Sequence, residues 1–476
     1  MIVHKFGGTS VGDASCFANV ADIIHEHYHR PGAAQSGTVV VVSAMSGVTN
    51  QLIAGARAAA EGKDSVYREI KASLLSRHLT VVESLLTRTP QRLEVGGWVE
   101  DRLHELERFY RSIAMLGELT ARGCDAVASL GEQLSASILA AVLCERGLRT
   151  QAILATELIV TDDHFGAATP LMALTRQRLQ SRLKPLLERG IIPVVTGYIA
   201  ATETGAITTL GRGGSDYSAA LIGAGLEADE VWIWSDVDGI LTADPNLVPQ
   251  ARTLDQLSYT EAADLAYYGA DVLHPKTIRP LMEQRIPLRI VNSFNPTHPG
   301  TLIVESPSPD RRRLPAIIST TGLSLIALGS RDDSWALPLA ARALQKLGDA
   351  GVDVLMFSQS FSEHSLNLVV REQDQAHCLK TLSQEFKSDG PDARYHLGVK
   401  EQVATISVVG VPHWNENGIV SHTFRALGQC GTRVIAVAQA ATEHNVSFCV
   451  PEDQVANTVR FLHRELGLEN HDRVGR

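Results

Sequence analysis

Apolar and polar residues follow two alternating patterns from residue 1 to about residue 305. Short apolar runs rich in Val and Ile alternate with longer segments whose apolar residues recur at helical spacing, as Phe17, Val20 and Ile24 do. The runs typical of strands are "MIVHKF", "TVVVVSA", "TQAILAT", "IIPVVTGYI", "AITTL", "EVWIWS" and "PLRIV". Strands this apolar are usually covered on both faces, so the pattern predicts an α/β fold whose mostly parallel sheet is sandwiched by helices.

The pattern changes near residue 305, where "ESPSPDRRRLP" carries three prolines, two serines and three arginines. Such a segment favours a domain boundary, so a first domain is predicted over residues 1–305. Beyond it, the order strand, helix, strand, strand, helix occurs twice, beginning at "AIISTTGLSLIAL" and at "ATISVVGV". The repeat predicts two ferredoxin-like βαββαβ units, at residues 315–390 and 400–470, that regulate or dimerise the protein.

Composition narrows the classes of function. A chain of 476 residues exceeds what one core usually serves, and 44% apolar with 20% charged residues is typical of soluble globular proteins. No apolar run reaches the roughly 18 residues of a membrane span and no hydrophobic leader follows a basic N-terminus, so a cytoplasmic protein without a membrane partner is expected. A net charge of −10 without a long basic stripe argues against a nucleic-acid partner.

The first predicted strand ends in "KFGGTS", a turn with one lysine, two glycines and two hydroxyl side chains. Ligands of such sheets bind at the carboxyl ends of strands, where this turn lies. Its composition suits a phosphate group. The lysine precedes the glycines, so the commonest phosphate motif, GxxxxGK[ST], is not matched.

A second glycine turn, "TTLGRGGSDYSAALIG", lies at residues 208–223. Its glycines favour a well-capped turn between strand and helix, with Ser215 or Asp216 as the cap. Arg212 points to more than a turn, because a guanidinium beside a helix start is a forked donor for a carboxylate or phosphate.

Three further segments carry polar groups at the ends of predicted elements. In "SAMSGVTN", Ser43 and Thr49 either contact a small polar ligand or cap a helix. Glu132, in the apolar helix "ASLGEQLSASILAAVL", either faces a ligand cation or lies at the surface near the helix start. In "WIWSDVDGILTADP", the acidic residues after the strand either organise a lysine or a hydrated magnesium ion or form a turn. No set of metal-ligating residues can be named, and the histidines of "HEHYH" do not share a helix face.

Taken in order, "KFGGTSVG", "SAMSGVTN", "SLGEQLSA", "TTLGRGGSDYSAA", "SDVDGILTADP" and "LAYYGADVLHPKTI" resemble the aspartate kinases, which are members of the amino-acid kinase family. The resemblance spans nearly the whole chain, since these kinases also carry two C-terminal regulatory ACT units. It implies ATP-dependent phosphorylation of the side-chain carboxylate of L-aspartate to 4-phospho-L-aspartate. That reaction is the first step toward lysine, threonine and methionine, or toward ectoine in some bacteria.

The resemblance also implies roles for individual residues. Lys5 would spread the charge of the transferring phosphoryl group, and Asp216 would orient that lysine. The aspartate pocket would consist of Thr49, Glu132, Arg212 and Ser215. Arg212 would bind a carboxylate of the substrate, and Glu132 would bind the substrate ammonium group. The ATP-binding residues would be Lys5, Phe6, Gly7, Gly8, Ser10, Ser235, Asp236, Leu241, Asn246, Asp271 and Val272. The cofactors expected are ATP and Mg²⁺.

Three of these positions depart from the family pattern. Leu241, Asn246 and Asp271 stand where many bacterial members have tyrosine, arginine and lysine. Asp271 would repel phosphates unless magnesium intervenes or its side chain points away. These departures leave open a catalytically dead amino-acid-binding regulator. A kinase acting on glutamate or an acylated amino acid also stays open, because it would share the sheet and the phosphate turn.

The resemblance implies two further partners for the regulatory units. An amino-acid effector would bind near the turns "GSRDDSW" and "GVPHWNENG", which differ from each other, so that the effector cannot be named from the sequence. The same units are expected to join copies of the chain into a homodimer or a higher homo-oligomer.

Overall fold

The computed structural model describes residues 1–30, 37–267, 269, 273–308, 314–330, 337–360, 365–386, 395–410, 418–439 and 445–469. They fall into two compact units. The first contains residues 1–240, 255–263 and 271–309, and the second contains residues 241–254, 264–270 and 310–476. The predicted boundary near residue 305 is close to the main division, but the segment 241–254 groups with the second unit.

The first unit is built on an eight-stranded sheet in the order β3-β5-β2-β1-β8-β10-β11-β9. The strands of this unit are β1 (Ile2–Phe6), β2 (Thr38–Val42), β3 (Thr150–Ile153), β4 (Val160–Thr161), β5 (Ile192–Thr196), β6 (Ile199–Thr202), β7 (Ile207–Thr209), β8 (Glu230–Ser235), β9 (Gln256–Ser258), β10 (Leu288–Asn292) and β11 (Thr301–Val304). The six strands from β3 to β10 pair in parallel, and β11 runs antiparallel to β10. The predicted mostly parallel sheet is confirmed.

Two features of these strands differ from the sequence prediction. "IIPVVTGYI" forms two strands, β5 and β6, because Tyr198 takes a left-handed conformation with φ of 64° that breaks the run. The strands β4, β6 and β7 form a separate three-stranded sheet. The short strands β4, β9 and β11 were not predicted, since runs of two to four residues carry little periodicity.

Helices cover both faces of the large sheet. The helices of residues 1–309 are α1 (Ala14–Tyr28), α2 (Val48–Ala60), α3 (Asp64–Leu85), α4 (Thr89–Leu116), α5 (Ala121–Ala128), α6 (Leu130–Glu145), α7 (Met172–Glu188), α8 (Gly214–Leu226), α9 (Tyr259–Tyr267) and α10 (Pro275–Gln284). The predicted apolar face of α1 is buried at Phe17, Val20 and Ile24. The stretch Ala121–Glu145 is long and apolar enough to cross a membrane, but 89% of its most apolar window is buried in the fold, as in a core helix.

The second unit contains a six-stranded sheet in the order β13-β14-β12-β15-β17-β16. Its strands are β12 (Ala316–Ser330), β13 (Val354–Ser360), β14 (Ser365–Arg371), β15 (Tyr395–Val409), β16 (Ala436–Gln439) and β17 (Asn445–Pro451). Its helices within the described residues are α11 (Leu337–Asp349), α12 (Gln375–Phe386), α13 (Gly418–Cys430) and α14 (Val455–Glu465). Each half of the sheet has the strand order of a ferredoxin-like unit, as the repeat predicted.

The two ferredoxin-like halves exchange strands, which the predicted ranges do not anticipate. The end of β12, residues 323–329, pairs with β14 in the first half. The beginning of β12, residues 316–320, pairs with residues 405–409 of β15, which also pair with β17 in the second half. Residues 316–320, assigned by the sequence to the first copy, therefore complete the second. Strands of 15 residues are long enough to serve both halves.

Candidate active site

The carboxyl ends of β1, β2 and β8 open onto a cavity of about 670 Å³ in the first unit. Eight of the residues to which the resemblance assigns a site role line this cavity, although they come from five separate segments of the chain. They are Lys5, Gly8, Thr49, Glu132, Arg212, Ser215, Asp216 and Asp236. The location agrees with the general rule that parallel sheets bind ligands at the carboxyl ends of their strands.

Lys5 is the cation at the centre of the site. Its side chain is 10% exposed, and its Nζ lies 2.5 Å from Oδ1 of Asp216, a residue in the first turn of α8. The contact is an ion pair without the angles of an aligned hydrogen bond. Because both groups are largely shielded from water, this pair fixes the position of the ammonium group more firmly than a surface pair would.

The arginine-bearing glycine turn places the start of α8 at the cavity. Gly211 and Gly213 have φ of 77° and 68°, which favours glycine. Gly213 is the N-cap residue, and none of the described side chains caps the helix, so the predicted capping by Ser215 or Asp216 is wrong. The exposed amides of the first turn and the helix dipole therefore favour an anion at this end. A Cβ on Gly214 would lie 2.7 Å from the Tyr198 ring, so this glycine is required by close packing.

The turn after β2 joins the N-terminal turn. The Ser43 N–H donates to the Phe6 carbonyl at 3.1 Å, and the Ser46 N–H donates to the Gly8 carbonyl at 3.1 Å. Gly47 is the N-cap residue of the helix α2 that follows, and no side-chain cap is found there among the described residues. Thr49 therefore does not cap α2, and its side chain lines the cavity, which favours the ligand-binding interpretation of this threonine.

Glu132 is buried, with 3% of its surface exposed, in the first turn of α6. Its Oε1 accepts a hydrogen bond from the Ala44 N–H at 3.3 Å, whereas Oε2 has no partner among the described residues. Burial raises the pKa of this carboxyl to about 8, against the smaller opposing effect of the Ala44 hydrogen bond. A surface role near the helix dipole is thus excluded. A buried carboxylate oxygen without a partner at a cavity fits a ligand cation.

Asp125, on α5, was missed by the sequence analysis because nothing in the chain distinguishes it from other helical carboxylates. It is buried and accepts three hydrogen bonds, from the Gly166 N–H at 2.9 Å, the Thr209 N–H at 3.0 Å and the Thr209 hydroxyl at 2.8 Å. Gly166 lines the cavity, and Thr209 ends the strand that leads into the turn of Arg212. Asp125 therefore ties two walls of the site to one helix.

Several of the predicted nucleotide-binding residues are engaged in packing or hydrogen bonds within the protein. The Phe6 ring is buried and stacks on Trp234 with 5.5 Å between centroids, and the Gly7 N–H donates to the Trp234 carbonyl at 3.2 Å. The Ser10 and Ser293 hydroxyls are 2.9 Å apart. The Gly7 amide is therefore engaged within the protein, and among Phe6, Gly7, Gly8 and Ser10 only Gly8 lines the cavity.

The remaining predicted residues stay untested as ATP ligands. The Ser235 hydroxyl donates to Asp236 Oδ1 at 3.2 Å, beside the cavity. Leu241 and Asn246 belong to the second unit, where Leu241 bridges Thr253 and the Asn246 N–H donates to Asp244 at 2.9 Å. Asp271, Val272 and most of both predicted effector turns, at 331–336 and 411–417, lie outside the described residues.

Comparisons with known proteins agree with this geometry. A model of the amino acid kinase family matches residues 1–292, and a model of the ACT domain matches residues 338–386 and 406–466. The chain is 32% identical to the chloroplastic aspartokinase 1 of Arabidopsis thaliana, over 97% of this chain and 79% of the relative. It is also 32% identical to the chloroplastic bifunctional aspartokinase/homoserine dehydrogenase 1 of Zea mays, over 98% of this chain, but spans only 50% of that protein.

Two solved structures are similar over almost the whole chain. The crystal structure of E. coli aspartokinase III in complex with aspartate and ADP has a TM-score of 0.81 and 28% identity, over 98% of this chain and 100% of that chain. The structure of the same E. coli protein in complex with lysine and aspartate has a TM-score of 0.78 and 28% identity, over 98% and 99% of the two chains. The chain therefore belongs to the amino acid kinase family, and within it to the aspartokinases with C-terminal ACT domains.

Proposed function

We propose that this chain transfers the γ-phosphoryl group of ATP to the side-chain carboxylate of L-aspartate, giving 4-phospho-L-aspartate and ADP. The observation that carries the proposal is the shielded Lys5–Asp216 pair, which shares one cavity with the unpartnered carboxylate oxygen of Glu132. A cation for phosphate and an anion for an amino group are the two charges that this pair of substrates requires. The names of the relatives and the aspartate and ADP complex of a similar protein support the same substrates.

The amino acid would be held by opposite charges. Glu132 would receive the substrate ammonium at its free oxygen, and Arg212 would form a forked contact with a substrate carboxylate. The hydroxyls of Thr49 and Ser215 line the same wall and would complete the pocket. Such contacts leave the side-chain carboxylate of aspartate as the nucleophile and fix its direction of attack.

Lys5 would carry the electrostatic part of catalysis. Phosphoryl transfer needs positioning and charge stabilisation more than covalent chemistry, so the aspartate carboxylate can attack the γ-phosphorus directly, in line with the leaving ADP oxygen. The Lys5 ammonium would stabilise the charge on the transferring oxygens, while Asp216 keeps that ammonium in place. The uncapped amides at the start of α8 add further positive potential.

Magnesium fits this site as a companion of the nucleotide. Among the described residues no group of three or more His, Cys, Asp and Glu side chains is arranged to hold a metal ion, which suits an ion bound mainly by phosphates and water. Asp236, an exposed carboxylate at the cavity, is the residue that would hold it. When bound, the ion would neutralise charge on the ATP phosphates.

The decisive experiment measures ADP formation from ATP and Mg²⁺ with either L-aspartate or L-glutamate. We expect turnover with aspartate and, in Lys5→Ala, a loss of at least about a hundredfold in kcat, the scale of one lost transition-state donor. Lys184→Ala, which removes an exposed lysine of α7, is the matched control and should keep full activity. Activity with glutamate alone would favour a different amino-acid kinase, and inactivity with both would favour a regulator.

We also propose that the ACT units bind an amino-acid effector and join copies of the chain into a cytoplasmic homodimer. The lysine complex of a similar protein supports an amino-acid effector. Exposed apolar side chains on two strands of the second unit, Phe357 on β13 and Val437 on β16, support self-association. Adding lysine, threonine or methionine to the same assay tests the effector, and light scattering after gel filtration tests the dimer.

A further inference from the structure

A second cavity in the first unit, of about 360 Å³, lies apart from the site described above. Its lining includes Trp232 of β8, Arg289 of β10, His27 of α1 and Arg30, which is two residues past the end of α1. In the sheet register, Trp232 pairs with Arg289 on one side and with His4 on the other, so the three side chains share one face of the sheet. Trp232 is four residues before Asp236, or about 13 Å along an extended chain.

Two residues that line the second cavity, Trp232 and Arg289, carry hydrogen-bond donors that the described residues do not satisfy. The Nε1 of Trp232 is buried and has no partner among them. An indole N–H is a donor only, and a buried one normally finds an acceptor. Arg289 uses its Nε on Glu230, at 2.7 Å, and one Nη1 hydrogen on the Pro299 carbonyl, at 3.2 Å. These contacts occupy two of the five N–H donors of a guanidinium.

The charged side chains at the second cavity form two ion pairs. Arg30 pairs with Glu26 at 3.1 Å, and both line the cavity. Arg289 also lines it, whereas its partner Glu230 does not. Burial lowers the pKa of His27 to about 4, so this histidine is neutral at pH 7. The charges of Arg30 and Arg289 are thus balanced by Glu26 and Glu230, and an anion would bind through the remaining donors of Arg289 and not through an excess of positive charge.

Flat side chains and a few apolar ones form part of the lining of the second cavity. The Arg289 guanidinium lies 5.2 Å from the centroid of the Trp232 ring, and the His27 ring meets that indole edge to face at 4.8 Å. Ile23, Val291 and two prolines line the remainder. Such walls suit a planar ring, which would add van der Waals contact to the polar contacts.

We propose that the second cavity is a binding site for a small carboxylic acid that carries a flat apolar group. The carboxylate would accept hydrogen bonds from the Trp232 indole and from the free donors of Arg289, and the flat group would pack against the prolines and the aromatic rings. The site is distinct from the proposed kinase site, because none of its lining residues lines the cavity of Lys5.

Ligand-observed NMR titration of the full chain with benzoate tests the proposal, with benzamide as the neutral isostere. We expect saturable benzoate binding with Kd on the order of a millimolar, the range for a ligand of this size. Arg289→Gln should weaken binding about tenfold or more, because it removes a charge-assisted contact. Trp232→Phe, which removes only the indole N–H and part of the ring, should weaken it severalfold. Arg279→Gln, an exposed arginine on α10, is the control and should bind like the wild type.

Each result of this titration decides the proposal. Absence of saturable binding, equal affinity for benzamide, or an unchanged Kd in Arg289→Gln and Trp232→Phe would overturn it. Displacement of benzoate by excess L-aspartate would place the probe at Arg212 instead and would equally overturn it. If Arg289→Gln loses its circular dichroism, Trp232→Phe decides alone, since it leaves the Arg289–Glu230 ion pair in place.

Discussion

Glu132 shows how strongly a single residue depends on its surroundings. Exposed glutamates are ionised at pH 7, but burial raises the pKa of Glu132 to about 8, so much of it is protonated in the free protein. An ammonium ligand at its free oxygen would stabilise the ionised form. Binding of aspartate would then be coupled to the loss of a proton from this carboxyl.

This coupling predicts that the KM for aspartate falls as the pH rises. Below pH 8 most of Glu132 is protonated, and it must lose its proton before it can pair with the substrate ammonium. At pH 6.5 a group with a pKa near 8 is about 97% protonated. We expect KM to be roughly tenfold higher at pH 6.5 than at pH 8. Glu132→Gln should raise KM and abolish its pH dependence, whereas Glu83→Gln, at an exposed position of α3, should preserve both. A wild-type KM that does not change over this range would contradict the assignment of Glu132 to the ammonium.

Among the structural elements, the sequence predicts where the turns lie better than it predicts the residues that hold those turns in place. The glycines, Lys5 and Arg212 were found because strand, turn and helix follow one another locally, and such a pattern is visible in a single sequence. Asp125 was not found, because its partners Gly166 and Thr209 are 41 and 84 residues away. Likewise, the break at Tyr198 depends on the packing of β5 and β6 and not on an intrinsic preference of tyrosine.

Asp125 should therefore control both the stability and the geometry of this part of the molecule. Asp125→Ala would leave the two buried donors of Thr209 without an acceptor, at about 1–3 kcal/mol each, so a loss of about 2 kcal/mol or more in the free energy of unfolding is expected. Asp125→Asn keeps one acceptor oxygen, so its free energy of unfolding should fall by a smaller amount. Because the Arg212 turn follows directly after Thr209, both variants should raise the KM for aspartate more than the KM for ATP.

Urea unfolding and steady-state kinetics measure these two effects. Asp101→Ala, which removes an exposed carboxylate on α4, is the matched control and should change neither quantity. Equal changes in both KM values, or kinetics of Asp125→Asn like those of the wild type, would show that Asp125 supports the fold without positioning the aspartate pocket.

In the molecule as a whole, the sequence predicts the order of strands and helices, but it does not predict that one strand belongs to both ferredoxin-like halves. The repeat after residue 315 gave the correct number of ferredoxin-like halves, because each half has its own apolar pattern. The apolar pattern of a strand does not indicate which neighbouring strand it pairs with. The exchange of residues 316–320 into the second half follows from the antiparallel pairing of β12 with β15 along 15 residues of each strand. Truncation at the predicted border of the copies would cut both halves.

Buried neutral histidines occur in both units, and they make the stability of the molecule depend on pH. In the first unit, His78 on α3 donates from Nδ1 to the Leu74 carbonyl at 2.6 Å, while its buried Nε2 has no partner among the described residues. In the second unit, His463 on α14 lies 2.9 Å from the Thr242 hydroxyl through Nε2. Burial lowers the pKa of each imidazole to about 4. A proton on either ring would place a charge in the core without a counter-charge.

Acid should therefore weaken the folded state over the window between pH 6.5 and pH 4. The unfolded chain takes up a proton on each histidine near pH 6.5, whereas the folded chain resists protonation down to about pH 4, so the free energy of unfolding falls as the pH falls. For the fully buried His78, the loss between pH 7 and pH 5 is about 2 kcal/mol. Urea unfolding at both pH values measures it. His78→Leu should remove that part of the pH dependence, while His104→Leu, on α4, should retain it, since His104 makes the same contact with the carbonyl four residues earlier but is exposed. If both variants keep the full pH dependence, acid sensitivity arises elsewhere, and the unpaired Nε2 of His78 is not the group that resists the proton.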